Sequence, residues 1–281
     1  MALISIILSL LLDRILHHLH DLRDLSWFEL YSQKISNVIK INNGWTRLAA
    51  ILALPLIAII TIQLALSDFM FGSLYFLFGI AVLFYCLGPA CLSHEVDAYL
   101  DARSIGDDDE AMHYAGALTE QVASTTPDQQ TNEVTRAILS VANERTFSLL
   151  FWFVLLGPFG SVLYRLVTNI SKQEEADSKT ATAASLVQVI MAWLPARMLA
   201  LGYALTGHFD GAIQAYRNRS LEVDLLQSNH EALVTTGMGA LRYQRLTDEI
   251  SCIRSARDLV TRSIIIWVAV LALLTLGGWL G

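Results

Sequence analysis

The sequence has no tract of basic residues, and this absence excludes the electrostatic footprint of a nucleic-acid-binding protein. Its 19 lysine and arginine residues are outnumbered by 26 aspartate and glutamate residues, which gives a net charge of −7. It also lacks a glycine-rich phosphate loop, an internal repeat and any run of alternating polar and apolar residues. We therefore expect no nucleic-acid partner and no β-sheet.

Cysteine is scarce, and the three cysteines show no paired spacing. Cys86 and Cys91 lie inside an apolar run, whereas Cys252 lies in a polar segment that we expect to be cytoplasmic. Disulfides are rare in that compartment, and metal sites use closely spaced pairs of cysteines. We assign the cysteines neither role.

The apolar start of the chain, from Met1 to Leu12, lacks two marks of a secretory signal. No basic residue precedes it, and Asp13-Arg14 follows where small residues would form a cleavage site. Twelve helical residues reach about 18 Å, less than the roughly 30 Å of a hydrocarbon core. We interpret the segment as an interfacial or half-inserted helix that stays on the mature protein, and the sequence leaves open whether it enters the bilayer.

Apolar residues are abundant and clustered. They make up 54% of the chain against 16% charged residues, and the mean hydropathy is +0.48. Uncharged runs approach the roughly 20 residues that cross a bilayer. We predict an all-α integral membrane bundle with about four transmembrane helices plus amphipathic and cytoplasmic helices. The runs cover Leu48 to Leu66, Phe69 to Leu92, Thr146 to Tyr164, Thr180 to Ala196, and Ser263 to Gly281.

The polar and apolar stretches divide the chain into six segments. Interfacial or amphipathic helices are expected first, then a transmembrane hairpin, a cytoplasmic helical segment, two transmembrane segments with a Pro-x-Arg break, a second cytoplasmic helical segment and a final transmembrane helix. Within the first cytoplasmic segment, Gly106-Asp107 predicts the end of one helix and the cap of the next. In the same order, the segments are 1–45, 46–92, 93–145, 146–207, 208–262 and 263–281.

Basic residues indicate the orientation. Five lysines and arginines precede the first run, three lie between His94 and Arg145, and seven lie between His208 and Arg262. The loop on the other side of the predicted topology carries Lys172 and Lys179. The positive-inside rule then places the N-terminus in the cytoplasm of a multi-pass inner-membrane protein.

Arg197 is the most informative charged residue, because ionisable groups at membrane depth are costly and face protein or water. Pro195 removes a backbone donor close to it, and such a helix break beside a guanidinium can form a buried anion site. Arg197 could instead snorkel to the interface or pair with a structural carboxylate, for which Glu133 and Glu144 are candidates. Pro158, in the third run, is interpreted as a kink that allows close packing.

Two groups of residues could bind a metal. His94, Asp97 and Asp101 lie on one face of a predicted helix and could bind a divalent cation such as Mg²⁺, although a solvated helix face explains them equally. A second set could hold a transition metal or form the polar face of an amphipathic helix; its members are His17, His20, Asp21 and Asp24.

Several blocks spread along the chain resemble the AmpE family of regulatory membrane proteins, distant relatives of the CobD/CbiB cobinamide-phosphate synthases. The Pro195-x-Arg197 block is the most specific. The others are Asp13-Arg14, His94-x-x-x-Ala98-Tyr99-Leu100, Asn143-x-Arg145 leading to Phe151-Trp152, Gly157-Pro158 with Tyr164, and Trp193-Leu194 before the Pro-x-Arg block with Leu205-Thr206-Gly207-His208 after it.

The resemblance implies an inner-membrane partner of a cytosolic AmpD-like amidase, linked to peptidoglycan recycling and β-lactamase induction. It also implies a ligand site, for which the candidates are Asn143, Glu144, Arg145, Tyr164, Trp193, Pro195 and Arg197. The enzyme branch joins an aminopropanol unit to a corrinoid using ATP, and its members carry an Ala-Glu-Asn block and paired acids before Pro-x-Arg. Here the residues read Ala142-Asn143-Glu144 and Val187-Gln188-Val189-Ile190.

Two hypotheses follow. The first is a regulatory protein that binds an anionic ligand at Arg197 in a buried cavity and passes occupancy to a partner. The second is a membrane-bound ligase or transferase that uses a nucleotide and a divalent metal at Glu144 or Asp97. A transporter is disfavoured because no inverted repeat is present. The ligand, a cofactor, residual catalysis, the oligomeric state and direct contact with an amidase stay open.

Overall fold

A computed structural model describes most of the chain, in nine ranges of residues. They are 2–15, 23–38, 43–67, 73–88, 92–119, 126–173, 178–219, 224–242 and 248–277. Throughout these ranges the regular structure is helical, with no β-strand. The prediction of an all-α chain is therefore confirmed.

The helices are numbered in chain order. They are α1 (Ala2–Ile15), α2 (Ser26–Val38), α3 (Gly44–Ser67), α4 (Ser73–Leu87), α5 (Leu92–Ile105), α6 (Asp108–Thr119), α7 (Pro127–Ala142), a π turn (Asn143–Phe147), α8 (Ser148–Leu156), α9 (Pro158–Lys172), α10 (Ser178–Thr206), α11 (Phe209–Arg217), α12 (Leu225–Leu241) and α13 (Glu249–Leu276).

Within the described ranges, five helical stretches are long and apolar enough to cross a membrane, where about four were predicted. The multi-pass membrane class is confirmed. The third stretch, Gln129–Leu156, begins and ends earlier in the chain than the uncharged run from Thr146 to Tyr164. This is because the helical stretch already includes α7 and ends at Leu156. The five are Gly44–Leu66, Ser73–Ile105, Gln129–Leu156, Lys179–Thr206 and Ile250–Leu276.

The chain divides into two compact units. Unit 1 comprises Met1–Pro89 and Ser148–Met191. Its core joins α2, α3, α9 and the start of α10 through Phe28, Ile51 and Val167, each no more than 2% exposed. The guanidinium of Arg23 lies over the Phe84 ring at 4.3 Å and pairs with Asp13 at 2.5 Å. This pair neutralises a charge that would be costly to bury alone.

The third apolar run reverses direction in unit 1, so the prediction of a kink at Pro158 is wrong. Gly157 has φ of +66°, which favours glycine, and Pro158 begins α9 directly after it. The helices then pack closely: a Cβ on Gly160 would lie 2.3 Å from the carbonyl oxygen of Trp152. A glycine at positive φ followed by a helix-starting proline produces a tight α8–α9 turn.

Unit 2 comprises Ala90–Phe147 and Ala192–Gly281. Its core draws apolar side chains from α5, α6, α7, α10, α12 and α13, among them Val96, Ile138, Leu199 and Leu259, all fully buried. The predicted helix boundary at Gly106-Asp107 is present. Gly106 has φ of +77°, and the Asp107 carboxylate accepts a hydrogen bond from the N–H of Glu110 at 3.0 Å.

Small residues allow α11 and α12 to approach closely in unit 2. A Cβ on Gly211 would lie 2.6 Å from the Gly239 carbonyl oxygen, and a Cβ on Gly239 would lie 2.5 Å from that of Gly211. The backbone N–H of His208, just before α11, donates to the carbonyl of Ala240 at 2.8 Å. The two helices are therefore held by backbone contact as well as by side-chain packing.

The π turn interrupts the helix between α7 and α8. The N–H of Asn143 donates to the carbonyl of Ser140, rather than to that of Leu139, its partner in a regular α-helix. The buried Tyr203 hydroxyl instead donates to the Leu139 carbonyl at 2.8 Å. A side chain of α10 thus satisfies a backbone oxygen beside the turn.

Replacing Tyr203 with phenylalanine should lower the free energy of unfolding by about 1–2 kcal/mol, because the Leu139 carbonyl would lose a buried donor. Thermal or denaturant unfolding of the purified protein in detergent would measure the loss. Tyr114→Phe is the control, since the Tyr114 hydroxyl makes an exposed hydrogen bond to Glu110. Equal stability of Tyr203→Phe and the parent would show that the bond contributes nothing.

Candidate functional site

The structure assigns the sequence-predicted site residues to both units. Asn143, Glu144 and Arg145 belong to the π turn, and Trp193, Pro195 and Arg197 belong to α10; all six are in unit 2. Tyr164 lies in α9 of unit 1, where its side chain is 1% exposed.

Arg145 is a structural cation. Its Nη1 donates to the Glu95 carboxylate at 2.7 Å, and its Nη2 donates to the Ala117 carbonyl at 3.2 Å. The two ionised side chains are 14% and 17% exposed. Because the guanidinium joins α5, α6 and the π turn and already has a carboxylate partner, its geometry supports a role in packing rather than in binding a ligand.

Asn143, also in the π turn, is 3% exposed. Its Oδ1 is buried and makes no hydrogen bond in the structure. A buried acceptor without a donor is energetically costly. Asn143 therefore remains a candidate for polar contact with a ligand or water.

Pro195 does not break α10, contrary to the predicted Pro-x-Arg break, since the helix runs without interruption from Ser178 to Thr206. Proline cannot donate to the carbonyl four residues earlier, which belongs to Met191. The indole Nε1 of Trp152 donates to that carbonyl at 3.1 Å. A side chain thus replaces the missing backbone donor, so the helix continues through the proline.

Arg197 is held by neutral groups on α12. Its Nη2 donates to the Ser228 hydroxyl at 2.7 Å, and its Nη1 donates to the side-chain oxygen of Asn229. It also lies over the ring of Trp193, at 4.8 Å from the ring centroid. Trp193 is 49% exposed, so the guanidinium lies beside a surface-accessible aromatic ring.

A second cation, Arg219, acts on Arg197. Its guanidinium stacks on the Tyr216 ring at 3.7 Å and donates to the Tyr216 carbonyl at 3.1 Å. The Tyr216 side chain is in hydrogen-bonding contact with Arg197, and the positive charge of Arg219 acts on Arg197 unfavourably. Tyr216 thus lies against both guanidinium groups.

Neither cation has a carboxylate partner among the described residues. Glu133 and Glu144 were candidates to face Arg197, but its hydrogen-bond partners are the serine, the asparagine and backbone oxygen. The prediction of an acidic partner is therefore wrong. The helical hairpin formed by α11 and α12 supplies hydroxyl and amide groups instead.

The sequence reasoning did not identify Tyr216, Arg219, Ser228 or Asn229. All four lie in the polar segment 208–262, which was predicted to be cytoplasmic and helical. The close spacing of Arg217 and Arg219 was the available signal, but basic residues at a helix end are common. We call the six residues Trp193, Arg197, Tyr216, Arg219, Ser228 and Asn229 the arginine site.

The metal candidates are not brought together. The carboxylate of Asp97 accepts a hydrogen bond from Arg257 on α13, and Asp101 is exposed. Across the described ranges, no three His, Cys, Asp or Glu side chains are placed to hold a metal ion. Of the second cluster, His17, His20 and Asp21 lie outside those ranges.

A family model and a curated relative agree on the family of the chain. The family model described as regulatory signalling modulator protein AmpE matches residues 1–281. Protein AmpE of Shigella flexneri is 24% identical over 224 residues, covering 76% of this chain and 78% of that protein. No solved structure gives a significant match.

Two cobalamin biosynthesis proteins are also similar to part of the chain. Cobalamin biosynthesis protein CobD of Chromobacterium violaceum is 28% identical over 170 residues, 58% of this chain and 53% of that protein. CobD of Stutzerimonas stutzeri is 26% identical over 169 residues, which cover 52% of this chain and 54% of that protein. The chain thus spans about half the length of each CobD protein.

Proposed function

Because the chain belongs to the AmpE family of regulatory signalling modulator proteins, we propose that it is a regulatory protein of the bacterial inner membrane that binds an anionic ligand at the arginine site. Its N-terminus lies in the cytoplasm, and the helices that carry the site pass ligand occupancy to a protein partner. That partner is a cytosolic AmpD-like amidase, and the pathway is peptidoglycan recycling with β-lactamase induction.

The observation that supports ligand binding is the pair of cations without a carboxylate. Arg197 and Arg219 interact unfavourably with each other, and the neutral partners of Arg197 do not cancel its charge. A partly buried cation pair of this kind is stabilised by an anion. Ion pairs elsewhere in unit 2, such as Arg145 with Glu95, lack this excess charge.

Signalling is supported by the location of the site. Arg197 lies on α10, a helix long enough to span the membrane, whereas Ser228 and Asn229 lie on α12. Arg219 follows the end of α11. An anion held between Arg197 and Arg219 would therefore strengthen the contact of α10 with the α11–α12 hairpin, and its loss would weaken that contact. A partner in contact with the hairpin would sense the difference.

Substitution of Arg197 tests anion binding. Arg197→Gln should weaken binding of anions by about 10-fold to 100-fold, because a charge-assisted hydrogen bond contributes about 1.5–3 kcal/mol. The measurement is the rise in unfolding temperature of the detergent-purified protein with phosphate, sulfate or acetate, since a ligand stabilises the state that binds it. Arg217→Gln is the matched control, because Arg217 is exposed and carries the same charge.

Two results would contradict this proposal. One is a parent protein whose unfolding temperature responds to none of the three anions beyond a chloride control of equal ionic strength. The other is an Arg197→Gln protein that responds as the parent does. Arg197→Lys separates charge from geometry: it keeps the charge but loses the planar fork that binds an oxyanion through two hydrogen bonds.

The alternative is a membrane-bound ligase or transferase, favoured by the similarity to CobD proteins over about half of their length. It requires acidic groups to hold a metal against a nucleotide. The stretch before Trp193 reads Val187-Gln188-Val189-Ile190, and the Gln188 side chain accepts a hydrogen bond from Ser171 at 3.0 Å. Metal-dependent ATP turnover that Glu144→Gln abolishes would establish this alternative.

A further inference from the structure

We infer that the anion at the arginine site is a phosphoryl group, bound between Arg197 and Arg219. This inference rests on the proposed function and narrows its ligand to one chemical class. Three features of the site favour phosphate: its charge, its hydrogen-bond donors and its place at the start of α12.

The charge of the site matches phosphate. Arg197 and Arg219 together carry two positive charges, and no described carboxylate pairs with either. A phosphate monoester carries about −1.5 to −2 at neutral pH, whereas a carboxylate carries a single charge. A phosphoryl group would thus neutralise both guanidinium groups, and a carboxylate would neutralise only one.

The donors of the site are also arranged for an anion with several oxygens. Arg219 makes one hydrogen bond within the described chain, through Nη1 to the Tyr216 carbonyl, although a guanidinium has five N–H donors. Ser228 adds a hydroxyl beside Arg197 at 2.7 Å. Three phosphate oxygens can accept from both guanidinium groups and this hydroxyl together.

The start of α12 adds a favourable dipole. The helix begins at Leu225, so Ser228 ends its first turn and Asn229 follows it, close to the positive end of the helix. Asp224 occupies the N-cap position, but its side chain makes no capping hydrogen bond. The N–H groups of Gln227 and Ser228 donate to the Asp224 backbone carbonyl, so the helix dipole, rather than open N–H groups, is what favours a nearby phosphate.

The position of Arg197 along α10 admits two sources of phosphate. Lys179 near the start of α10 and Arg197 are separated by about 27 Å at 1.5 Å per residue, close to the roughly 30 Å thickness of a hydrocarbon core. Trp193, which stacks with Arg197, is 49% exposed. A lipid head group at the membrane surface and a soluble phosphate ester could therefore both reach the site.

The experiment compares phosphate with acetate and then compares two membranes. Detergent-purified parent, Arg219→Gln and the matched control Arg217→Gln are titrated with inorganic phosphate and with acetate at constant ionic strength, and the unfolding temperature is recorded. We expect phosphate to stabilise the parent at concentrations at least 10-fold below those of acetate. Arg219→Gln should weaken phosphate binding at least 10-fold, whereas Arg217→Gln should bind within twofold of the parent.

The source of the phosphate is decided in lipid nanodiscs. The same proteins are placed in phosphatidylcholine alone or in phosphatidylcholine with phosphatidic acid, whose head group is a phosphate monoester, and retained lipid is identified by native mass spectrometry. Preferential retention of phosphatidic acid that depends on Arg219 supports a lipid head group. Phosphate binding without such retention supports a soluble phosphate ester, and either result supports a phosphoryl site.

Other outcomes overturn the inference. If acetate binds as tightly as phosphate and Arg197→Gln abolishes both, the anion site stands and the phosphoryl assignment fails. Unchanged phosphate affinity in Arg219→Gln also overturns it. If neither anion binds and no lipid is retained, the proposed function fails as well. If Arg219→Gln unfolds at a lower temperature than the parent in the absence of ligand, Arg219→Lys, which keeps the charge, replaces it in the titrations.

Discussion

Replacing Glu95 with alanine should lower the free energy of unfolding by about 3 kcal/mol, because it removes one partner of a largely buried ion pair. Glu95 neutralises Arg145, and the two side chains are only 17% and 14% exposed. Without the carboxylate, Arg145 would keep its contact with the Ala117 carbonyl. Its mostly buried positive charge, however, would no longer be neutralised. Unfolding of the detergent-purified protein in a denaturant series would give the change.

Two further variants test the cause of this loss. Asp108→Asn breaks the pair with Arg103, in which the aspartate is 81% exposed, and should cost no more than about 1 kcal/mol. A Glu95→Leu/Arg145→Leu double variant should recover most of the stability, since paired apolar replacements of a buried ion pair are often neutral. A double variant as unstable as Glu95→Ala would assign the loss to packing instead.

The second large effect is expected at the crossing of α11 and α12. Gly239→Ala should lower the free energy of unfolding by about 2 kcal/mol, because the new Cβ would lie 2.5 Å from the carbonyl oxygen of Gly211 and the backbones must separate. The displaced α11 would carry Tyr216 and Arg219 with it. Anion binding at the arginine site should therefore weaken together with stability.

Gly79→Ala is the matched control for that substitution. A Cβ on Gly79 would come no closer than 3.4 Å, to the Phe153 ring, which is an ordinary contact. Because alanine favours helix by about 1 kcal/mol over glycine, Gly79→Ala should be neutral or stabilising. A similar loss in both variants would show that close approach is not what distinguishes Gly239.

The membrane class could be predicted from sequence because it depends on the length and charge of each run. The uncharged stretch after Arg262, for example, lies on a helix that is long enough to cross a bilayer. Backbone conformations at single residues were harder to predict. Gly157-Pro158 was interpreted as a kink, and only the positive φ of Gly157 reveals a reversal. Pro195 was interpreted as a break, yet a distant indole, that of Trp152, replaces its missing donor.

The site was predicted in part. Arg197 was recognised because a charge in an apolar run is unusual, whereas Arg219 lies in a polar segment where an arginine carries no such signal. Its proximity to Arg197 arises from the α11–α12 hairpin, whose packing depends on Gly211 and Gly239. Arg145 was also selected by its position, but its ion pair with Glu95 indicates a structural role.

The cysteines, for which no disulfide is predicted, can be used to measure local opening of the structure. Cys86 in unit 1 is 2% exposed and Cys252 in unit 2 is 4% exposed. A buried thiol reacts with an alkylating reagent only when the surrounding structure opens. Replacing Cys91 by serine would restrict labelling to these two positions. The rate at each would then report the opening of one unit independently of the other, in the presence or absence of a ligand.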